Sequence, residues 1–394
     1  MYKKVATDMK FADREMEILS FWKENDIYKK AIRPEKEGTP SFTLYDGPPT
    51  ANGKPHIGHI KTRVIKDVIP RFHAMKGEHV EFKAGWDTHG LPVELEVEKM
   101  LGINGKPQIE EYGVEPFIKK CKESVWKYKD EWEQMSERVG FWADMEHPYV
   151  TYDNSYIESE WWALKTMWEK GMLYKGHKIV PYCPRCGTSL SSHEVAQGYK
   201  NVKETSVFVR FAVAGEKDTY FAAWTTTPWT LPSNVGLCVN PKEEYVLLSV
   251  PHDLDGTERE TRYYMAGVLA NTLFENFTIL ARKTGTEMVG MKYEPLFPYA
   301  AKAVEESKLV AFRVCADDYV TMNDGTGIVH IAPAFGEDDA RVGRAFKLPF
   351  VQLVLEDGTL PPETEEFAGL FVKDADSLLV KKLNRDGKLI KKHP

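Results

Sequence analysis

Two histidines three residues apart, in His56-Ile57-Gly58-His59, follow a loop dense in chain breakers that runs from Asp46 to Pro55. At the start of a helix this spacing puts both imidazoles on one side, beside unpaired N–H groups and the positive end of the helix dipole, an arrangement that favours phosphate. Gly58 keeps backbone bulk away from such a ligand. A pair of solvated histidines is the plainer alternative, and the strand and Gly/Pro-rich loop ahead of the tetrad weigh against it. A second set is Trp224-Thr225-Thr226-Thr227-Pro228-Trp229-Thr230-Leu231-Pro232-Ser233-Asn234. Threonines suit strands, but Pro228 and Pro232 cannot sit in a central one, so the hydroxyls of Thr225, Thr226 and Thr227 are expected in a fixed loop able to hold a small polar ligand. In the stretch Gly325 to Asp339, His330 taken alone reads as a core histidine, and Asp338 or Asp339 as the N-cap of a helix over Ala340 to Phe346. Cys183-Pro184-Arg185-Cys186-Gly187 is a zinc-knuckle turn, but it supplies only two of the four ligands a tetrahedral site needs. Free thiols are the alternative, His177 and His193 are weakly supported substitute ligands, and Cys121, Cys238 and Cys315 are assigned to packing.

The elements that must position these residues alternate in type. Asp13 is expected to cap a first helix that ends about Asp26, and Arg33 to Pro40 reads as a linker. Ser41 to Tyr45 reads as a strand, and Ile57, Ile60, Val64, Val68, Phe72 and Met75 as a helical face stopped by Gly77, with Pro70 expected to kink or split the helix. Val80 to Ala84 feeds the loop Gly85-Trp86-Asp87-Thr88-His89-Gly90, and Pro92 opens a helix that runs to Leu101. Strand, loop, helix twice over is a parallel α/β signature, with ligands expected at the carboxyl ends of the strands. Val125 to Val139 and Ile157 to Trp168 read as two further amphipathic helices, the second behind a capping box of Ser155 and Glu158. Beyond about Asn201 short β-rich segments take over, among them Ser206 to Phe211, Tyr220 to Thr225, Tyr245 to Val250 and Ile328 to Ile331. They predict a second domain of mostly antiparallel sheet. Pro361 to Glu366 reads as a short acidic loop.

The chain has 394 residues, enough for two or three domains, with 42% hydrophobic and 28% charged residues. No apolar run reaches the length of a membrane span, and the first ten residues lack a secretory core, so a cytoplasmic protein is expected. Five cysteines with one spaced pair argue against a disulfide framework. The net charge of −7 is uneven, with 22 Lys+Arg against 28 Asp+Glu in residues 201–394. Any nucleic-acid partner must therefore be gripped locally. The cluster Lys119, Lys120, Lys122, Lys127 and Lys129 beside Trp126 and Tyr128 fits phosphate contact and a solvated helix face about equally.

Together, Asp46-Gly47-Pro48-Pro49-Thr50-Ala51-Asn52-Gly53, the His56 to His59 tetrad and Gly85 to Pro92 resemble the N-terminal half of class I aminoacyl-tRNA synthetases, specifically the isoleucine-specific members. Valyl and leucyl members share the His-x-Gly-His signature but usually differ in the other two motifs. The resemblance extends along the whole chain. It implies ATP-dependent activation of isoleucine, with Mg2+, and transfer to tRNA-Ile. His56, Gly58 and His59 would then bind ATP, the histidines stabilising its phosphates as charge develops. Asp87 would accept the substrate α-ammonium, and Gly47 and Pro48 would line the amino-acid pocket. The threonine run resembles the corresponding peptide of the editing domain, which hydrolyses Val-tRNA-Ile. By that resemblance Asp339 would pair with the α-ammonium of a misattached residue, while His330, the Thr225 to Thr227 hydroxyls and Asn234 would position the ester, the terminal adenosine and a water. Cys183 and Cys186 would be half of a zinc site whose other pair lies past residue 394.

The expected fold is α/β: the first half of a Rossmann-type nucleotide-binding domain with an inserted β-rich, barrel-like editing domain. Expected boundaries are an N-terminal helix and linker over 1–46, the half nucleotide-binding domain with the start of the zinc-knuckle insertion over 47–200, and the editing domain over 201–394. The chain departs from the family pattern in lacking a K-M-S-K-S-like loop, so synthesis of Ile-tRNA is not expected from it alone. It also ends without a terminating element, which predicts a longer protein. A monomer without membrane or protein partners is expected. Alternatives are another nucleotidyltransferase of the His-x-Gly-His type and a non-catalytic module that binds the tRNA acceptor end.

Overall fold

The computed structural model describes residues 10–32, 38–50, 52–254 and 256–393. The first nine residues, the opening of the Arg33 to Pro40 linker, Ala51 and Pro394 lie outside them. The chain divides into two compact units, Met1–Lys175 and Gly176–Pro394, so the Cys183 to Cys186 turn belongs to the second.

The first unit contains α1 (Phe11–Glu24), α2 (Ile27–Ala31), β1 (Ser41–Tyr45), α3 (Ile57–Met75), β2 (His79–Trp86), α4 (Leu91–Leu101), α5 (Lys106–Tyr112), α6 (Val114–Ser124), α7 (Lys129–Arg138), β3 (Asp144–Val150) and α8 (Asn154–Glu169). Its three strands are parallel in the order β1-β2-β3, with Ser41 opposite His79 and Gly85 opposite Tyr149. Val80, Phe82 and Ala84 alternate with exposed or half-buried neighbours along β2 and pack with Ala74, Phe141 and Ala143. A second cluster joins Trp86 to Trp132. Because the strands are parallel, the loops after β1 and β2 leave from the same end, where Thr50 bridges to Asp87.

Several local expectations need correcting. Asp13 lies inside the first turn of α1, whose N-cap is Lys10. Pro70 does not interrupt α3: its ring is buried, and the packing of this side of the helix on β2 outweighs the one hydrogen bond a proline removes. The segment Val125 to Tyr128 is a turn, and the helix begins at Lys129. No capping box forms at Ser155, because α8 starts two residues earlier than that cap requires, at Asn154 behind Asp153. The predicted apolar face of α8 is exposed, Trp161 at 69% and Trp168 at 66%. In the lysine cluster, Lys120 pairs with Glu123, Lys129 with Glu133, and Lys122 and Lys127 lie over the rings of Tyr152 and Tyr128.

The second unit contains β4 (Tyr182–Cys183), β5 (Thr188–Ser189), α9 (Ser192–Gln197), β6 (Ser206–Ala212), β7 (Thr219–Thr225), β8 (Gly236–Val239), β9 (Glu244–Val250), β10 (Thr261–Ala266), α10 (Ala270–Leu273), β11 (Thr278–Thr284), α11 (Gly285–Met288), α12 (Ala301–Ser307), β12 (Arg313–Ala316), β13 (Ile328–Ile331), α13 (Glu337–Phe346), α14 (Val372–Arg385) and β14 (Leu389–His393). The sheet is mostly antiparallel, as expected, but mixed: β7 runs parallel to both β10 and β13, and β8 parallel to β12. Hairpin neighbours are visible in local patterning, whereas these parallel partners are distant in sequence. Starting from β6, the pairings β6-β7, β7-β13, β13-β8 and β8-β12 continue through the bridges Lys292 to Arg313 and Val213 to Tyr293 back to the end of β6. The circuit is closed, which makes this part a small barrel. Phe211, Phe221, Leu237 and Ile328 on its strands belong to one large buried cluster, which Met265 of β10 joins. Arg210 clips two outlying segments to it, donating from Nη1 to Asp253 Oδ1 (2.5 Å) and Tyr263 Oη (3.1 Å) and from Nε to the Gly387 carbonyl (2.6 Å). The acidic stretch near Pro361 is a buried-edged 3-10 turn, Pro362–Phe367, tied down by Lys382 on Glu366.

Candidate active sites

In the first unit a cavity of about 470 Å3 opens where the β1 loop meets the start of α3, lined by Asp46, Gly47, Pro49, Thr50, His56, His59, Arg63, Lys66 and Trp132 among others. The two imidazoles cap the helix themselves. His56 Nδ1 accepts the Gly58 N–H at 3.1 Å, and His59 Nδ1 accepts the His56 N–H at 3.1 Å. Nδ1 is therefore the acceptor on both rings, which assigns the proton to Nε2 and leaves each neutral ring one N–H donor. The rings lie 3.7 Å apart, and His59 rests against Trp132. Burial, then the neighbouring His56 and Arg63, hold the His59 pKa below its usual value, favouring the neutral form. Gly58 has a local reason to be glycine: a Cβ there would stand 3.0 Å from His56 Cε1. The crowding comes from the capping imidazole.

Asp46 is the buried anchor of this cavity. Its carboxylate takes Lys66 Nζ at 2.6 Å and faces Arg63 Nη1 at 3.6 Å, and Lys66 also donates to the Gly47 carbonyl at 3.1 Å. One carboxylate against two cations leaves the wall positive. Trp132 Nε1 holds the loop through the Gly53 carbonyl at 2.8 Å. Of the residues singled out from sequence, Gly47, His56 and His59 line this cavity; Pro48, Gly58 and Asp87 do not. Asp87 accepts from Thr50 Oγ1 at 3.3 Å and donates its N–H to the Pro49 carbonyl at 3.0 Å, which ties the two loops together. Asp46, Arg63, Lys66 and Trp132 were not anticipated. For Arg63 and Lys66 a signal existed, since they follow His59 by four and seven residues on the same helical face.

In the second unit a cavity of about 210 Å3 is lined by Trp224, Thr225, Thr226, Thr227, Thr230, Val329, His330, Ala332, Phe335 and Asp339. Three separate segments meet here. Strand β7 ends at Thr225, and the chain turns into a 3-10 helix over Pro228–Ser233, as the prolines require. Thr227 N–H donates to Thr225 Oγ1 at 3.1 Å, and Thr230 Oγ1 donates to the Thr227 carbonyl at 2.8 Å. Thr230 Oγ1 also meets His330 Nε2 at 2.9 Å. With the hydroxyl proton already committed, His330 Nε2 is the donor, and Nδ1 carries the lone pair. That Nδ1 is buried without a partner, and burial lowers the His330 pKa to about 4, so the ring is neutral at physiological pH.

Asp339 is the third residue of α13, whose N-cap is Gly336, so neither Asp338 nor Asp339 is the cap. Its Oδ1 accepts the Ala332 N–H at 2.8 Å, and its carboxyl folds so closely over the helix start that a Cβ on Gly336 would lie 2.3 Å from Oδ2. Burial pushes its pKa up to about 6. Asp338 turns away to Arg341. Thr225, Thr226, Thr227, His330 and Asp339 are thus brought together, and Asn234 is not. Its carboxamide is buried elsewhere, donating to the Gly236 carbonyl at 2.8 Å and accepting from Tyr293 Oη at 2.7 Å. Thr230 and Phe335 complete the lining.

Cys183 and Cys186 sit on the β4–β5 hairpin with Arg185 donating to Cys186 Sγ. Among the described residues no third His, Cys, Asp or Glu stands with them, so His177 and His193 do not complete a site. Two thiols do not fit a closed tetrahedral zinc centre.

A family model described as tRNA synthetases class I (I, L, M and V) matches residues 17–348, and the chain belongs to that family. Its fold is accordingly α/β: half of the class I nucleotide-binding domain followed by the mixed-sheet barrel unit. Among curated relatives, the isoleucine–tRNA ligase of Clostridium acetobutylicum is 54% identical over 391 residues, covering 99% of this chain and 36% of that protein. The isoleucine–tRNA ligase of Clostridium kluyveri is 55% identical over 383 residues, covering 96% and 35%. Isoleucine–tRNA ligase 2 of Bacillus anthracis is 49% identical over 392 residues, covering 99% and 36%. The chain therefore spans about a third of the length of the curated relatives it matches. A solved Plasmodium knowlesi cytosolic leucyl-tRNA synthetase editing domain is similar at a TM-score of only 0.36 and 12% identity, over 49% of this chain and 97% of that one.

Proposed function

We propose that the second unit hydrolyses the ester of a misacylated tRNA, Val-tRNA-Ile, and that the first unit carries part of the site at which isoleucine is activated with ATP and Mg2+ for transfer to tRNA-Ile. The observation that carries the reading is the convergence of the Thr225 to Thr230 hydroxyls, His330 and Asp339 on one 210 Å3 cavity. A cavity with donors, one neutral imidazole lone pair and one carboxylate suits an aminoacyl ester. Asp339, ionised above about pH 6, holds the α-ammonium; the threonine hydroxyls hold the acyl and ribose oxygens. A water attacks the acyl carbon, the ester C–O bond breaks, and the 3′-terminal hydroxyl leaves with the proton that water gives up. In this reading the unpartnered His330 Nδ1 accepts a hydrogen bond from that water. No serine or cysteine paired with a base lines the cavity, which favours direct attack over a covalent intermediate.

The need for such a cavity is a free-energy argument. One methylene is worth only about 1–3 kcal/mol to a binding pocket, a limit for which isoleucine-specific ligases are the standing illustration. A second, smaller pocket completes the discrimination against valine. In the first unit, the Nε2–H donors of His56 and His59 with Arg63 and Lys66 would hold the ATP phosphates, and Asp87 and Gly47 the amino acid. No helix among the described residues is long and apolar enough to cross a membrane; a cytoplasmic monomer is the expectation of this reading.

Hydrolysis of Val-tRNA-Ile against Ile-tRNA-Ile by this chain, with Asp339→Ala beside it, tests the proposal. Faster loss of valine that disappears in the variant supports it. RNA binding without hydrolysis would instead make the second unit a binding module. Pyrophosphate exchange by the chain alone is expected near background.

A further inference from the structure

A 3-10 turn that begins at Pro228 has an unusually short set of loose ends. Pro228 has no N–H, and the Thr230 N–H reaches the Thr227 carbonyl at 3.0 Å. The Trp229 N–H is left, and no neighbour in the turn takes it. It donates to Asp376 Oδ1 at 2.8 Å, on α14, 147 residues away in the chain. Helix α14 packs on this turn through its buried face, which includes Val372, Ala375, Leu379 and Leu383.

What the hydrogen bond holds is the wall of the threonine-lined cavity. Trp229 stands edge-on to Phe335 at 5.1 Å, and Phe335 lines the cavity. The next residue, Thr230, carries the hydroxyl that links the Thr227 carbonyl to His330 Nε2. Asp376 itself lines a different cavity, of about 620 Å3, with Lys203, Glu204, Lys373 and Lys381. It does not line the threonine-lined cavity. Burial raises its pKa to about 6, with Glu204 adding to the rise and the Trp229 N–H and Lys373 opposing it. A half-buried carboxylate is a costly way to fill space, which is a reason to look for a positional role.

We propose that Asp376 is a positioning residue for the cavity: by accepting the one unpaired N–H of the 3-10 turn, it fixes Trp229 and Thr230 and through them the Phe335 wall and the His330 ring. This rests on the hydrolytic reading of the second unit, and the test separates the two.

The chain is prepared with Asp376→Ala, Asp376→Asn and, as a neighbour control, Lys373→Ala. Hydrolysis of Val-tRNA-Ile is followed with hydrogen exchange of the peptide covering Thr226 to Ser233. In Asp376→Ala, kcat is expected to fall at least tenfold with KM within twofold of the parent, and exchange of the peptide to speed up at least tenfold. Asp376→Asn, whose carboxamide oxygen still accepts, is expected to recover both to within about threefold, and Lys373→Ala to change neither. If Asp376→Ala keeps both kcat and protection within twofold, the proposal is wrong. It is also wrong if Asn and Ala lose rate equally while the peptide stays protected, because the carboxylate would then act directly. If the parent chain hydrolyses nothing, the hydrolytic reading fails and exchange alone decides: protection lost in Ala and kept in Asn supports positioning, and protection kept in all overturns it. Should Asp376→Ala be unfolded by circular dichroism, Asp376→Ser, polar but too short to reach, is judged by the same outcomes.

Discussion

Asp339 combines two demands that pull in opposite directions. Its carboxyl sits near pH 6 in the folded chain and near 3.8 when unfolded, so the folded state binds the proton more tightly. Stability from this group is fully present below about pH 4 and is lost as pH rises towards 6. The proposed hydrolysis needs the ionised form, so its rate is expected to climb about tenfold per pH unit up to 6 and then level off. Asp339→Asn keeps an oxygen for the Ala332 N–H and removes the charge. It should raise stability at pH 7 by roughly 1–2 kcal/mol in urea unfolding while cutting hydrolysis at least a hundredfold. The two histidines of the first unit allow a similar separation. His56→Ala removes the acceptor of the Gly58 N–H and should cost about 1 kcal/mol of that unit's stability. His56→Asn should restore the cap without restoring Mg-ATP affinity, which isothermal titration would report.

At the level of elements, Gly85 carries a sharp expectation. A Cβ on this residue of β2 would fall within the ring of Tyr149 on β3, whose hydroxyl donates to the Asp46 carbonyl. Gly85→Ala should push that ring out, release the β1 loop and lower the first unit's stability by about 1–3 kcal/mol, measured by urea unfolding with Trp86 and Trp132 fluorescence as probe. The glycine is visible in the sequence as part of a motif; its reason is not, because Tyr149 lies 64 residues away in the chain. The same division runs through the molecule. Strands such as Ser41–Tyr45 and Ile328–Ile331 are legible because alternation is local, and the turn at Pro228 because a proline cannot pair in a sheet. The parallel partners of β7, the burial of Pro70 and the placement of Asn234 against Tyr293 are decided by contacts between distant segments. Ser155 failed as a cap because a two-residue shift in the helix start moves it into the first turn. The grouping of the threonines with His330 and Asp339 came from family resemblance, since nothing in their individual spacing predicts that three segments meet.

On the scale of the whole chain, the two units have no buried cluster in common among the described residues, and two unfolding transitions are expected. Asp253 is the buried partner of Arg210, and removing it strands a guanidinium held inside the second unit. Asp253→Ala should lower that unit's transition by about 3–5 kcal/mol and leave the first unit's unchanged, seen by calorimetry as one peak moving and one standing still. Under the proposed hydrolytic reading, the acidic balance of residues 201–394 fits a unit that receives the end of an RNA and does not grip its stem. The closed circuit of strands has a further consequence. A hoop is as strong as its weakest joint, and here β6 and β12 are joined only across the short stave at Lys292 and Tyr293, held by the Ala214, Tyr293, Glu294 and Val314 amides. The other joints run along whole strands with one exception: β7 meets β13 at a single residue pair, Trp224 with Val329. The ring thus has two thin joints, and the second is part of the cavity wall, since Trp224 and Val329 both line it; gaping there would be felt at once by the threonines and His330.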